Sequence, residues 1–313
     1  MCDLHGQDIT LTKDTDVEGR RRFLQALAAG GALSVAAPAL SGCTTNPYTG
    51  EKQLSLINAS QLNQLAAASW AEQKQKQPQT RDPRYLRRVQ SIGGRIKNQA
   101  PKVANSWDYA VFDDDQKNAF VLPGGRVGFY RGMLDFVDND SQVASIMGHE
   151  VGHVVGNHAA ARASQQMAGQ LAVGAGTILG GATMNRNCRR VPAQEQRDCV
   201  AKARRNTALL QQALGLGFTF GVVLPYSRKH ETQSDLLGVN YMRNAGYDPN
   251  QAVTLWEKMA AANPRRQPEW MSTHPDPANR ARRIYDFIQE QERLGSQGYK
   301  SIKEVDEQGN ITT

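Results

Sequence analysis

The sequence lacks three features that would each have pointed to a different function. It has no basic run with interleaved aromatics, although 37 lysines and arginines outnumber 30 acids and give a net charge of +7. That excess suits attraction to anionic surfaces, and no nucleic-acid partner is expected. No uninterrupted apolar stretch reaches the roughly 20 residues of a membrane-spanning helix. Cysteine is scarce, with only Cys2, Cys43, Cys188 and Cys199, and no further Cys or His pair lies near the last two. There is also no internal repeat, and the glutamine-rich stretch around residues 73–79 is too short to be a low-complexity domain. What remains is a globular composition, with 40% hydrophobic and 21% charged residues and a mean hydropathy of -0.55. A chain of 313 residues can bury a sizeable core behind a leader.

Residues 1–42 read as a cleaved leader. Arg20, Arg21, Arg22, Phe23 and Leu24 precede an apolar stretch, Ala26 to Leu40, that is interrupted by Gly30, Gly31 and Pro38. The paired arginines followed by Phe-Leu resemble a twin-arginine export signal, and an ordinary Sec signal is the alternative. Leu40, Ser41, Gly42 and Cys43 resemble a lipobox, in which Cys43 is acylated. Thr44 after the cysteine, with no Asp there, points to the periplasmic face of the outer membrane. In an oxidising compartment Cys188 and Cys199 suit a disulfide around a polar excursion. The leader carries four basic against five acidic residues, so its removal leaves the chain slightly more basic, which favours anionic lipid headgroups.

Past the leader, residues 43–59 read as a tether, 60–295 as the catalytic domain and 296–313 as a tail. Helices are expected from Ser60 to Lys76 and from Asp82-Pro83, an N-cap with proline at the first helical position. Trp107 to Phe112, Asn118 to Leu122 and Arg126 to Tyr130 read as a small antiparallel sheet with tight turns. From Ser141 onward the pattern is helical, so the fold class is α+β, mostly helical with a small antiparallel sheet before the active-site helix. The apolar stretches Ala208 to Leu224 and Ala168 to Gly181 read as buried helices beside that site.

The chemistry-bearing residues cluster on that helix. His149 and His153 are four apart, so on a helix their imidazoles project from one face and reach a single ion. Glu150, next to the first histidine, is placed to take a proton from an activated water without ligating the metal. Neutral imidazoles with a carboxylate and one open position form the pattern of catalytic zinc. For a third ligand, a histidine ten residues after the first is ruled out because Ala159 stands there. His158, one residue early, would point about 100° away if the helix continued, and reads as a surface histidine or one that supports the ligands. Glu231 and Asp235 form an i,i+4 pair that can supply a ligand and an orienting group for a ligating histidine. A plain surface acid pair has the same spacing. His230 is expected to face away from Glu231.

These residues, together with Asn118-Ala119-Phe120 before Pro123-Gly124-Gly125, Tyr226-Ser227-Arg228 and Thr273-His274-Pro275, resemble the zinc metallopeptidase (gluzincin) family of HtpX, Oma and the CAAX prenyl proteases. Within it the chain is most similar to the periplasmic lipoprotein branch typified by LoiP. The resemblance implies a zincin-type fold with one Zn2+ per chain held by His149, His153 and Glu231. It makes Glu150 the catalytic base and places Asp235 and Arg228 in support of the ligands. Asn118, Ala119, Phe120 and Val121 are implied as the edge strand that receives an extended substrate by strand addition. His274 is implied near the metal, either steadying the oxyanion or capping the zinc at rest. The activity implied is hydrolysis of misfolded or misassembled envelope proteins. The alternative is a zinc-containing periplasmic chaperone or outer-membrane assembly factor with little proteolysis.

Overall fold

The computed structural model describes residues 42–218, 224–262, 268, 270, 271, 274, 277–296, 304, 305, 311 and 312. The leader, apart from its last residue Gly42, lies outside them. The described chain starts with a hairpin of β1 (Cys43–Thr45) and β2 (Lys52–Leu54), paired antiparallel. The segment expected to be a tether is therefore folded, with Asn46, Glu51 and Gln53 buried. Helix α1 (Ala59–Lys76) follows a capping box made by Asn58 and Gln61. Helix α2 (Pro83–Lys97) starts where expected, with the Asp82 carboxylate accepting from Arg84 N at 2.9 Å.

The sheet comprises β3 (Asp108–Phe112), β4 (Ala119–Leu122) and β5 (Arg126–Tyr130), in the order β3-β5-β4. β4 and β5 pair antiparallel around a turn in which Gly124 and Gly125 have φ of +84° and +79°. Positive φ there explains the glycine pair. One pairing departs from expectation, because β3 runs parallel to β5. The alternation of apolar residues reports which face a side chain takes but not the direction of the neighbouring strand. β5 thus sits in the middle and β4 at an edge. Trp70 of α1 covers one sheet face, packing with Ala110, Phe112 and Tyr130.

A short helix α3 (Arg131–Phe136) leads into α4 (Asp140–Val155), whose N-cap Asn139 accepts from Gln142 N at 3.1 Å. Nearly every α4 residue is buried, as suits a helix covered on all sides. It packs against α2, β4, α7 (Leu224–Asn244) and α8 (Asn250–Ala261), and α9 (Pro277–Ser296) closes over α7 and α8. β6 (Glu304–Val305) and β7 (Ile311–Thr312) form a last antiparallel pair.

Between α4 and α7, α5 (His158–Cys188) and α6 (Gln196–Phe218) pack on each other as a long hairpin, joined near its turn by the Cys188–Cys199 disulfide. This corrects the expectation of buried helices beside the site. Leu171, Ile178, Leu179 and Leu209 are 57–72% exposed, because beyond their shared seam the described parts of the two helices have little of the body against them. Among the described residues no helix is long and apolar enough to cross a membrane.

Helices α4 and α7 touch backbone to backbone. A Cβ at Gly148 would lie 2.7 Å from Gly238 O, and one at Gly152 would lie 3.0 Å from Ser234 Cα. Gly148→Ala should therefore lower the unfolding free energy by about 1–3 kcal/mol, despite the gain in helix propensity of about 1 kcal/mol. Gly94→Ala, on α2 with nothing within 4 Å of the new methyl, should instead raise it by about 0.4–1 kcal/mol. Denaturant unfolding of the two variants checks the contrast.

Candidate active site

The α4–α7 contact carries His149 and His153 to Glu231. The two Nε2 atoms are 3.0 Å apart, and Glu231 Oε2 and Oε1 lie 3.3 and 3.4 Å from His149 Nε2 and His153 Nε2. His274 joins them, with ligand atoms of all four residues within 4.8 Å of one another. A tetrahedral zinc with ligands at about 2.0–2.1 Å has its ligand atoms about 3.3 Å apart. The spacing of the three donors fits that ion. Glu231 Oε1 is buried with no hydrogen-bond partner among the described residues, as a carboxylate reserved for a cation would be.

Electrostatics agree with the geometry. Burial and the neighbouring Arg280 both disfavour charge on His149, yet hydrogen bonds to Asp235 and Glu231 outweigh them and push its pKa up to about 9. Burial also works against ionised Glu231, but its hydrogen bond with His149 and the positive charge beside it hold it far below the carboxylate range. Burial of Asp235 is likewise overcome, chiefly by Arg280. The two carboxylates therefore call for positive charge at His149. A divalent cation on its Nε2 would supply that charge and release the proton.

Asp235, expected to orient a ligating histidine, has Oδ1 2.9 Å from His149 Nδ1. The arginine that holds Asp235 was not expected. Arg228 is exposed on α7, whereas Arg280 of α9 is fully buried. Arg280 donates to Asp235 at 2.8 and 2.5 Å and to Glu231 at 3.0 Å, with its guanidinium 3.7 Å over the Trp256 ring. Nothing local marks Arg280, since it meets its partners only through the fold.

Glu150 is buried, and its Oε1 accepts from Trp270 Nε1 at 2.7 Å and lies 3.4 Å from His274 Nε2. Trp270, too, escaped sequence reasoning. It holds one oxygen of the prospective base and stacks on Trp256. His274, pushed by burial well below the usual imidazole range, is neutral.

The edge strand β4 runs beside α4, and its outer side has no strand partner among the described residues. Val121, Pro123 and Arg126 share a cleft with Glu150, His153 and His274. Asn118 Oδ1 accepts from Ala119 N at 2.9 Å, Ala119 is buried, and Phe120 packs on the opposite sheet face against Trp70 and Phe112. Cys43 is exposed and takes part in a disulfide, a bond that a lipid thioether on the same sulfur would replace.

Residues 83–288 match the model described as Peptidase family M48. The chain is 32% identical over 186 residues to the mitochondrial metalloendopeptidase OMA1 of Schizosaccharomyces pombe, covering 59% of this chain and 47% of that protein. It is 27% identical over 267 residues to the beta-barrel assembly-enhancing protease of Escherichia coli, covering 83% and 51%. With the human mitochondrial metalloendopeptidase OMA1 it shares 29% over 246 residues, covering 75% and 44%. The chain spans about half the length of the curated relatives it matches.

Replacing Arg280 by Ala should destabilise the protein by about 3–5 kcal/mol, because it leaves two buried carboxylates short of a partner. Urea unfolding measures this directly. A loss below about 1 kcal/mol would mean that Arg280 is not what compensates Asp235 and Glu231.

Proposed function

Since the chain belongs to peptidase family M48, we propose that it is a zinc metalloendopeptidase of the bacterial cell envelope that cleaves unfolded or misassembled envelope proteins. The observation that carries this reading is the convergence of His149, His153 and Glu231 beside Glu150. Its catalytic domain spans residues 60–295, preceded by the segment 43–59 and followed by the tail 296–313. The lipobox supports anchoring by a lipid on Cys43 at the periplasmic face of the outer membrane, and a relative named as a beta-barrel assembly-enhancing protease is in keeping with that location.

His149, His153 and Glu231 hold the zinc, one per chain. When bound, the ion supplies a Lewis acid that polarises the scissile carbonyl and acidifies water. Glu150 accepts the proton of the attacking water and passes it to the departing amine. Trp270 holds the Glu150 carboxylate through its indole N-H at 2.7 Å, which fixes the orientation of the base. His274 Nδ1 donates to Trp270 O at 3.0 Å, so the neutral ring presents the lone pair of Nε2 beside Glu150, which suits a group that caps the zinc at rest rather than one that donates to the oxyanion. The substrate lies extended along β4, its backbone adding to the sheet edge and crossing the cleft.

Glu150→Gln should reduce cleavage of casein by at least about a hundredfold while leaving one zinc per chain. Glu231→Ala should lose the zinc itself. Unchanged proteolysis in the first variant, or unchanged zinc in the second, sinks the assignment, and full rescue of an envelope defect by Glu150→Gln favours a chaperone role. Cys43→Ala should move the exported protein from the membrane to the soluble fraction, and persistence in the membrane would argue against the lipid anchor.

A further inference from the structure

His158 stands outside every role assigned so far, yet it is 1% exposed. The expectation that it points away from the site assumed a continuous helix, and the helix breaks. Helix α4 ends at Val155, Gly156 is its C-cap, Asn157 takes a left-handed φ of 54° and α5 begins at His158. The break turns the imidazole back under α4. It lies so close to Gly156 that a Cβ there would come within 2.2 Å of His158 Nε2.

In this position His158 Nδ1 is 2.8 Å from His153 Nδ1 and 3.3 Å from Ser234 Oγ, and its Nε2 is 2.7 Å from Gln233 Oε1. The ring stacks on His230 at 3.9 Å and 11°. These distances fix where the protons sit. An amide oxygen only accepts, so His158 Nε2 carries a hydrogen and donates it to Gln233. In a neutral ring Nδ1 is then the acceptor, and the close nitrogen opposite it, His153 Nδ1, is the donor. That leaves the lone pair of His153 on Nε2, the atom 3.4 Å from Glu231 Oε1.

We propose that His158 is a positioning residue for His153, forming with Gln233 a neutral relay that fixes the tautomer and ring direction of this ligand. It rests on the reading of His149, His153 and Glu231 as metal ligands. The two ligating histidines are then oriented by unlike means. His149 answers to a carboxylate clamped by arginine, and His153 to an imidazole backed by an amide, which adds no further negative charge to the buried site. The same proton assignment engages both nitrogens of His158, so a cation at Glu51, His158 and His230 would have to displace the relay. Their ligand atoms lie close together, but the His158 lone pair on Nδ1 is already taken by His153 Nδ1-H.

The test is zinc affinity of the exported full chain, measured by competition with a chromophoric chelator. His158→Ala should weaken zinc binding by about 10–100-fold. His158→Asn, whose Oδ1 can stand where Nδ1 stood, should recover most of the loss, because an acceptor for His153 Nδ1-H is restored. Gln233→Met keeps the volume but removes the acceptor, and should weaken binding in the same direction by a smaller factor, which keeps the proposal testable if His158→Ala does not fold. Wild-type affinity in either Gln233→Met or His158→Ala overturns the relay, as does equal weakness of His158→Asn and His158→Ala. Absence of stoichiometric zinc from the wild-type chain would instead overturn the underlying ligand assignment.

Discussion

The site depends on how closely two helices approach. His149 and His153 lie on α4 and Glu231 on α7, and their donor atoms converge to 3.0–3.4 Å only because the backbones touch at Gly148 with Gly238 and at Gly152 with Ser234. Any side chain at these glycines would wedge the helices apart at the turns that carry His149 and His153. The motif glycines therefore shape the site indirectly, by setting the distance across which a carboxylate from one helix meets two imidazoles from the other. Burial on all sides of α4 by α2, α7, α8 and β4 keeps that distance from relaxing.

Close approach concentrates charge, and the second constraint is to make that charge tolerable. Glu231 and Asp235 are both almost fully buried, and two ionised carboxylates in a dry core cost several kcal/mol each unless paired. Arg280 bridges them from α9, with its guanidinium laid on Trp256 so that its flat face is also packed. Trp270 then extends the same aromatic layer to Glu150. Glu231, Asp235 and Glu150 are thus held by a shelf made of Trp256, Trp270 and Arg280, and none of the three belongs to either motif-bearing helix.

This division explains what was legible in the sequence. Residues at i and i+4 announce themselves, so His149, His153, Glu231 and Asp235 were readable as pairs on helix faces, and the N-cap at Asp82 and the strands around Pro123-Gly124-Gly125 were readable from local chemistry. Arg280 and Trp270 were not, because their roles arise from partners 45 and 120 residues away. The family resemblance pointed to Arg228, which faces solvent, and carried no sign of Arg280. His158 was misdirected by one backbone angle, the left-handed turn at Asn157, which no periodicity reports. The apolar residues of α5 and α6 were legible as helix but not as exposed, since apolarity says nothing of what lies opposite.

The turn at Asn157 also has a cost that the N-terminal hairpin offsets. Breaking the helix after Val155 deprives the carbonyls of Val155 and Gly156 of the N-H groups a continuing helix would have provided. Asn46 Nδ2 donates to Val155 O at 2.9 Å and Gln53 Nε2 donates to Gly156 O at 2.6 Å, both from the β1–β2 hairpin. Leu56 N, just beyond the hairpin, reaches Ser164 Oγ at 2.8 Å on α5. The break is therefore sealed from outside by the segment that begins at Cys43. Removing either amide would leave a buried carbonyl unpaired at a cost of about 1–3 kcal/mol, borne by the joint that aims His158 at His153. Far from being a passive leash, the hairpin completes the end of α4, and the chain three residues after Cys43 makes a hydrogen bond that closes the turn leading to His158.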